Sequence, residues 1–396
     1  MKNKKLLYAK AVFGKEERRA VAETLKNNWL SAGKKSEEFE QKIAELFGKK
    51  YGVFVNSGSS ANLLALKVLN LPVGSEVITP VLTFATTLAP IIQLGLKPVF
   101  VDCEIGTYLP SLSEIRKKIT LQTKALMIPH LIGNLMNGED IRNLAKEHNL
   151  IYIEDSCDTL GGSINNFRTG YYSYLTTTSF YASHIITAMG GGGMVMTSDE
   201  NIAKRLKALR DWGRGIDDNE DIEKRFSYAL DGIYYDAKFI FIEMGYNFKP
   251  IDAMAAFGLE QLKKLGKFTA IRQRNFEALY NFFGQYSQWF HLPKQLSRAK
   301  VNWLAFPLTI KEDAPFTRLE LVKHFESRGV QTRPIFSGNI LRQPAFQLVA
   351  NGAEKFTNAD SVMRNGFLLG IHQGLTLKDI NYVKKIFKGM SLPFSE

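Results

Sequence analysis

Cysteine is almost missing from this sequence: Cys103 and Cys157 are the only two among 396 residues. Two thiols give no disulfide framework, and such sparing use belongs to a reducing compartment. No apolar run approaches the roughly 20 residues that a membrane-spanning helix needs. The basic start, Met1 to Lys5, leads into Leu6-Leu7-Tyr8-Ala9, too short for the apolar core of a secretory signal. These absences point to a cytoplasmic protein. Internal repeats, low-complexity tracts and nucleic-acid-binding motifs are missing too. Lysine, common elsewhere, is absent between Phe167 and Lys204.

What is present is ordinary for a folded chain. Hydrophobic residues make up 45% and charged residues 23%, and the length suffices for about two domains with a sizeable core. The formal charge is +12, from 51 basic and 39 acidic residues. That sign suits an anionic small molecule such as a nucleotide diphosphate. The basic residues, however, lie scattered in pairs such as Lys49-Lys50, Lys117-Lys118 and Lys263-Lys264 on stretches that read as exposed helix faces. A solvated surface is therefore the plainer reading.

Short buried strands are expected at 51–55, 76–79, 97–101, 125–128 and 151–154, with helices at 15–30, 36–48, 111–119 and 138–148. This alternation predicts an α/β fold with a mostly parallel sheet covered by helices. Past residue 250 the pattern changes to a long helix through 251–284, a strand at 303–309, a helix near 317–328, a strand near 330–335 and a last helix near 377–388. The expected division is a large α/β domain over 1–250, whose extreme N-terminus can pack on the other unit, and a smaller α+β domain over 251–396.

Several segments carry candidate chemistry. Ser57-Gly58-Ser59-Ser60-Ala61 lies between a strand and a helix, where small residues let backbone N–H groups meet a phosphate, though they also make caps and turns. Glu154-Asp155-Ser156-Cys157-Asp158 ends a strand, and ligands of open α/β sheets bind at strand C-termini. Such a carboxylate can pair with a protonated pyridine nitrogen or simply cap a helix. Phe84 follows another strand and suits either a flat ring or the core. His184 precedes Gly190 to Gly193, a run that demands tight turns or close backbone approach. Gly245-Tyr246-Asn247 and Arg333-Pro334 read as loops, and the arginine suits a carboxylate or phosphate.

In this order, and along nearly the whole chain, these pieces resemble the DegT/DnrJ/EryC1/StrS sugar-nucleotide aminotransferase and dehydratase family. Matching stretches include Asn28-Trp29-Leu30-Ser31-Ala32-Gly33, Ser57 to Asn62, Glu154-Asp155, Ser179-Phe180-Tyr181, Gly245-Tyr246-Asn247 and Gly258-Leu259-Glu260-Gln261-Leu262. The resemblance implies the aspartate-aminotransferase fold, a homodimer, and pyridoxal or pyridoxamine 5′-phosphate as cofactor. In the family's aminotransferases the Ser179–Thr187 region carries the lysine that holds the cofactor covalently. Here His184 takes its place and has no primary amine, but it can accept and deliver a proton. Histidine there is similar to a branch of 3-dehydratases acting on nucleotide-linked 4-keto-6-deoxyhexoses.

That likeness implies a role for each matching residue. Gly58, Ser59 and Ser179 would hold the cofactor phosphate, with Asn247 reaching in from the partner subunit. Asp155 would pair with the pyridine nitrogen, Asp158 would lie close to the ring, and Phe84 would stack on it. His184 would be the acid and base of C3 deoxygenation, and His130 and Arg333 would line the substrate side. An amino donor such as L-glutamate would restore the amine form of the cofactor. Ordinary amino transfer, and non-catalytic binding of cofactor or sugar nucleotide, are the alternatives. One type in the branch carries an iron–sulfur cluster, and Arg210-Asp211-Trp212-Gly213-Arg214 resembles that CDP-sugar type. No cysteine stands between Gly213 and Arg225, and four thiolates are the usual requirement, so no cluster is expected. That departure leans toward the GDP-sugar type, and the nucleotide stays open among GDP, CDP and dTDP.

Overall fold

The computed structural model describes residues 5–215, 221–350 and 354–390. Its centre is a sheet of seven strands: β1 (Tyr51–Val55), β2 (Glu76–Pro80), β3 (Lys97–Val101), β4 (Thr123–Pro129), β5 (Ile151–Asp155), β6 (Leu175–Ser179) and β7 (Gly193–Thr197). Their order is β1-β7-β6-β5-β4-β2-β3. The run from β6 to β3 is parallel, while β7 is antiparallel to both neighbours. The strands are rich in Val, Ile, Leu and Thr, and most of their residues are buried, as expected of a sheet covered on both faces. Because β7 runs backwards, the C-terminal ends of β1 and β6 meet its start, with Val55 and Ser179 both opposite Gly193. The loops after β1 and β6 that carry Ser57–Ala61 and His184 therefore gather at one end of the sheet.

Helix Lys34–Leu46 stops at Gly48, whose φ of +67° suits a left-handed helix end. Its start is capped from far away: Asp252 accepts hydrogen bonds from the Gly33 and Ser36 amides at 3.0 and 2.8 Å. The expected long helix through 251–284 is two helices, Asp252–Lys263 and Leu265–Gly284, parted at Lys264. The first packs on the two N-terminal helices, Lys15–Lys26 and Lys34–Leu46, and the second runs toward the C-terminal unit.

That unit holds an antiparallel four-stranded sheet, Phe290–His291, Phe306–Ile310, Gly366–Leu369 and Thr332–Arg333 in spatial order. The strand expected at 330–335 is thus only two residues long. Its core is aromatic: Phe276, Phe283, Phe290, Phe306 and Phe387 sit within ring-contact distance of one another. The start of the chain reaches it. Leu6 pairs with Val330, with hydrogen bonds from Leu6 N to Gly329 O (2.7 Å) and from Gln331 N to Leu6 O (2.9 Å). This pairing carries Tyr8 to the mouth of the site. No helix among the described residues is long and apolar enough to cross a membrane.

Candidate active site

The loops at the C-terminal ends of β2, β4, β5 and β6, the turn before β7 and the C-terminal sheet enclose a cavity of about 660 Å³. Gly58, Ser59, Phe84, Asp155, Asp158, Ser179, His184 and Arg333 all line it. Two residues singled out in the sequence do not. His130 is buried beside Glu154, with Nε2 3.4 Å from the carboxylate and Nδ1 accepting from the Met136 amide at 3.3 Å. It does not line this cavity, although its neighbours Pro129 and Leu131 do. Asn247 is exposed on a segment bridged to Asp211 and is not part of this chain's own cavity wall. The stretch from Gly213 to Arg225, where cluster cysteines would sit, lies partly outside the described residues. Among the described residues no group of three or more His, Cys, Asp or Glu is placed to hold a metal ion.

At one end of the cavity, helix Gly58–Lys67 starts with Ser57 as its cap, whose hydroxyl accepts from the Ser60 amide at 3.1 Å. The Gly58 and Ser59 amides belong to a first turn that has no acceptor within the helix. A Cβ on Gly58 would stand 2.6 Å from the Ser179 Cβ, so only glycine lets these two strand ends close together. A Cβ on Gly193 would meet the Ser57 carbonyl at 2.3 Å, which fixes another of the glycines. The result is a concave corner of small residues, helix amides and the hydroxyls of Ser59 and Ser179.

Asp155 is buried and rigidly held. Asn62 and Thr87 each donate to its Oδ2 at 2.8 Å, and the Cys157 amide donates to Oδ1 at 3.1 Å. Asn62 is itself oriented, since its carbonyl oxygen accepts from Thr177 at 2.6 Å. Phe84 is 52% exposed at the N-terminus of helix Ala85–Gln93 and offers its ring to the cavity.

His184 closes the turn after β6, its amide donating to the Tyr181 carbonyl at 3.0 Å. Its Nδ1 lies 3.2 Å from the Ser179 carbonyl. A carbonyl can only accept, so the proton belongs on Nδ1 and the Nε2 lone pair is free to act as a base. Burial pushes the imidazole down to about 4; Arg272 adds to this, while the Ser179 carbonyl and Asp155 oppose it. His184 is therefore neutral at pH 7.

Asp158 behaves oppositely. Burial pushes its carboxyl up to about 7, the neighbouring Asp155 acts in the same sense, and the hydrogen bond from the Ile132 amide at 3.0 Å opposes them. Ile132 holds a φ of +60°, a left-handed conformation costly for a β-branched residue, and its amide is thereby turned toward Asp158. A raised folded value means the buried carboxylate costs stability once it ionises. Asp158→Asn should accordingly leave the melting temperature near wild type around pH 4. It should raise it progressively toward pH 7 and hold that gain above. Thermal melts across this range test it, and a gain independent of pH would show that ionisation is not the cause.

Sequence reasoning missed Tyr8, Asn62, Thr87 and Arg272. Asn62 had a signal, as a polar residue within the apolar run Ala61 to Leu69. Tyr8 had none, because its place depends on the pairing of Leu6 with Val330. Burial, with Asp158 nearby, pushes the Tyr8 phenol up.

An anion corner at a helix start, a fixed buried carboxylate, an exposed aromatic ring and a free imidazole fit a phosphorylated, nitrogen-containing aromatic ring. With the mixed seven-stranded sheet, they define a protein of the aspartate-aminotransferase fold. Residues 12–388 match the DegT/DnrJ/EryC1/StrS aminotransferase family, and the chain belongs to it. It is 40% identical to dTDP-4-dehydro-2,6-dideoxy-D-glucose 3-dehydratase of Saccharopolyspora spinosa, covering 94% of this chain and 84% of that one. It is 38% identical to the lipopolysaccharide biosynthesis protein RfbH of Salmonella typhimurium, covering 95% and 90%. A crystal structure of GDP-4-keto-6-deoxymannose-3-dehydratase with a trapped PLP-glutamate geminal diamine superposes with a TM-score of 0.85 at 28% identity, covering 96% of this chain and 99% of that one.

Proposed function

We propose that this protein is a pyridoxamine phosphate-dependent 3-dehydratase, which converts a nucleotide-linked 4-keto-6-deoxyhexose into a 4-keto-3,6-dideoxy sugar. The observation that carries the reading is His184, an imidazole in the cavity with Nδ1 held at the Ser179 carbonyl and Nε2 left free, at the place where the resemblance puts the lysine of the family's aminotransferases. The family membership and the dehydratases among the relatives support it.

Gly58, Ser59 and Ser179 would hold the cofactor phosphate, Phe84 would cover one ring face, and Asp155 would keep a proton on the ring nitrogen. Bound there, the cofactor supplies an amine for the C4 ketone and a ring that takes up electrons. His184 Nε2 would accept a proton at the cofactor and deliver it to the C3 hydroxyl, which would leave as water; the released unsaturated amino sugar would then hydrolyse to the 4-ketone and ammonia. Histidine cannot recapture the cofactor covalently, which favours loss of the hydroxyl over amino transfer. L-Glutamate is the proposed amino donor, in keeping with the glutamate bound in the similar dehydratase structure. With two cysteines in the chain, a reductive cluster has no ligand set.

The proposed dimer would use the segment after the cavity helices. Ile233, Tyr234, Phe241, Ile242 and Met244 are 55–88% exposed there, an apolar surface that a monomer rarely leaves open. A second copy covering it is the arrangement in which Asn247 can serve the partner's site. The proposed division into two domains near residue 250 places the histidine on the larger one and Arg333 on the smaller.

The test is a product mass from protein loaded with pyridoxamine phosphate, given GDP-, CDP- and dTDP-4-keto-6-deoxyhexoses and L-glutamate without any reductase. A product one oxygen lighter, with 2-oxoglutarate, supports the reading and names the nucleotide. An amino sugar, or no product from any sugar, overturns it. The solution mass of the same preparation reads the dimer.

A further inference from the structure

Arg272, on helix Leu265–Gly284, is the largest fully buried side chain described, with 1% of its surface exposed. Its partners are neutral. Nε donates to Gln373 Oε1 at 2.9 Å, and Nη1 donates to the carbonyls of Leu304 at 2.9 Å and Trp303 at 3.4 Å. Among the described residues no carboxylate lies within ion-pair distance of it. A buried charge without a counter-charge is costly, and a leucine or methionine would fill that volume more cheaply. Packing alone does not account for it.

Its surroundings indicate a use. Gln373 turns its other end to the site, Nε2 donating to the Ile185 carbonyl at 3.2 Å. Ile185 follows His184 directly, so a continuous chain of hydrogen bonds runs from the guanidinium to the histidine turn. We propose that Arg272 is the positioning residue of His184, a fixed positive charge that tethers the histidine turn through Gln373.

The inference rests on His184 as the group that moves protons. A histidine kept unprotonated is ready as a base, and once protonated it is the stronger acid toward a departing hydroxyl. Other titratable groups line the same cavity as the imidazole. Asp155 and Asp158 approach from the end of β5, Tyr8 from the N-terminal segment and Arg333 from the C-terminal sheet, while Tyr181 flanks it within the turn. Burial is the larger influence on His184, and Asp155 and Arg272 act on it with opposite sign. Removing Arg272 leaves burial alone to oppose Asp155. His372 also feels Arg272, contacts the Leu7 carbonyl and lies outside the cavity, so its midpoint is expected to rise as well and is told apart from that of His184 by assignment.

The experiment follows histidine ring resonances by NMR across pH in the full-length, cofactor-free protein, with His184 assigned by its loss in His184→Asn. Arg272→Met, or Arg272→Gln should the first not fold, is expected to raise the His184 midpoint by about one unit, while Arg272→Lys keeps it at the wild-type position. Gln373→Leu retains the charge, so its midpoint should stay low while turnover of the loaded enzyme falls by about tenfold. An unmoved midpoint in Arg272→Met or Arg272→Gln overturns the electrostatic role. Full turnover in Gln373→Leu overturns the tether. The titration needs no substrate, so its failure is distinct from a failure of the dehydratase reading.

Discussion

His184→Asn is expected to lower C3 deoxygenation by about 10²- to 10⁴-fold, the usual worth of a positioned proton-transfer group. The substitution separates geometry from chemistry. An asparagine amide can still donate toward the Ser179 carbonyl that now lies 3.2 Å from Nδ1, so the turn has a means of closing. What disappears is the Nε2 lone pair, the free base in the cavity. Cofactor affinity should change little, because the anion corner and Asp155 are untouched. Both halves of the cycle, on the sugar and on glutamate, should slow together. His184→Lys should differ in kind: a primary amine returns, deoxygenation is lost and amino transfer can remain. Stopped-flow spectra of the loaded enzyme with each substrate read these outcomes. Deoxygenation by His184→Asn within tenfold of wild type would remove the histidine from the mechanism.

The second large effect is expected at Asp155. Asp155→Asn should weaken cofactor binding and cut turnover by about 10²- to 10³-fold, as found when a preorganised charge partner is removed from a water-excluded site. Three donors converge on this carboxylate, Asn62, Thr87 and the Cys157 amide. They have no use for an amide NH₂, so the variant either turns its oxygen to them and presents an N–H to the ring nitrogen, or leaves buried donors unpaired at about 1–3 kcal/mol. Thr87→Val should be far milder, near 1 kcal/mol, since it removes one of three donors and keeps the charge. Cofactor titration by absorbance, followed by turnover, orders the three proteins. Wild-type affinity and rate in Asp155→Asn would sever the carboxylate from the ring nitrogen.

The order of elements was legible in the sequence because each leaves a local mark. Alternating buried strands and capped helices gave the parallel sheet, and the strands at 51–55, 97–101 and 151–155 fall where the apolar runs lie. The breaks were less visible. Helix 251–284 is continuous in pattern but parts at Lys264, because its two halves pack on different units. The two-residue strand at Thr332–Arg333 is defined by its neighbour Leu368–Leu369 more than by its own residues.

By itself, the sequence determined which chemical groups this protein has available: a histidine without a neighbouring lysine, small residues before a helix, a carboxylate at a strand end, and too few cysteines for a cluster. These are facts of residue type and local spacing, and no folding is needed to state them. Tertiary structure alone decided which of them meet. It put Asp155 under the amide of Asn62, set His130 beside Glu154, carried Tyr8 in from the far end of the chain, and linked Arg272 to the His184 turn through Gln373. Burial and long-range pairing are properties of the packed molecule, and residues separated by 88 positions, as His184 and Arg272 are, carry no sign of each other in one dimension.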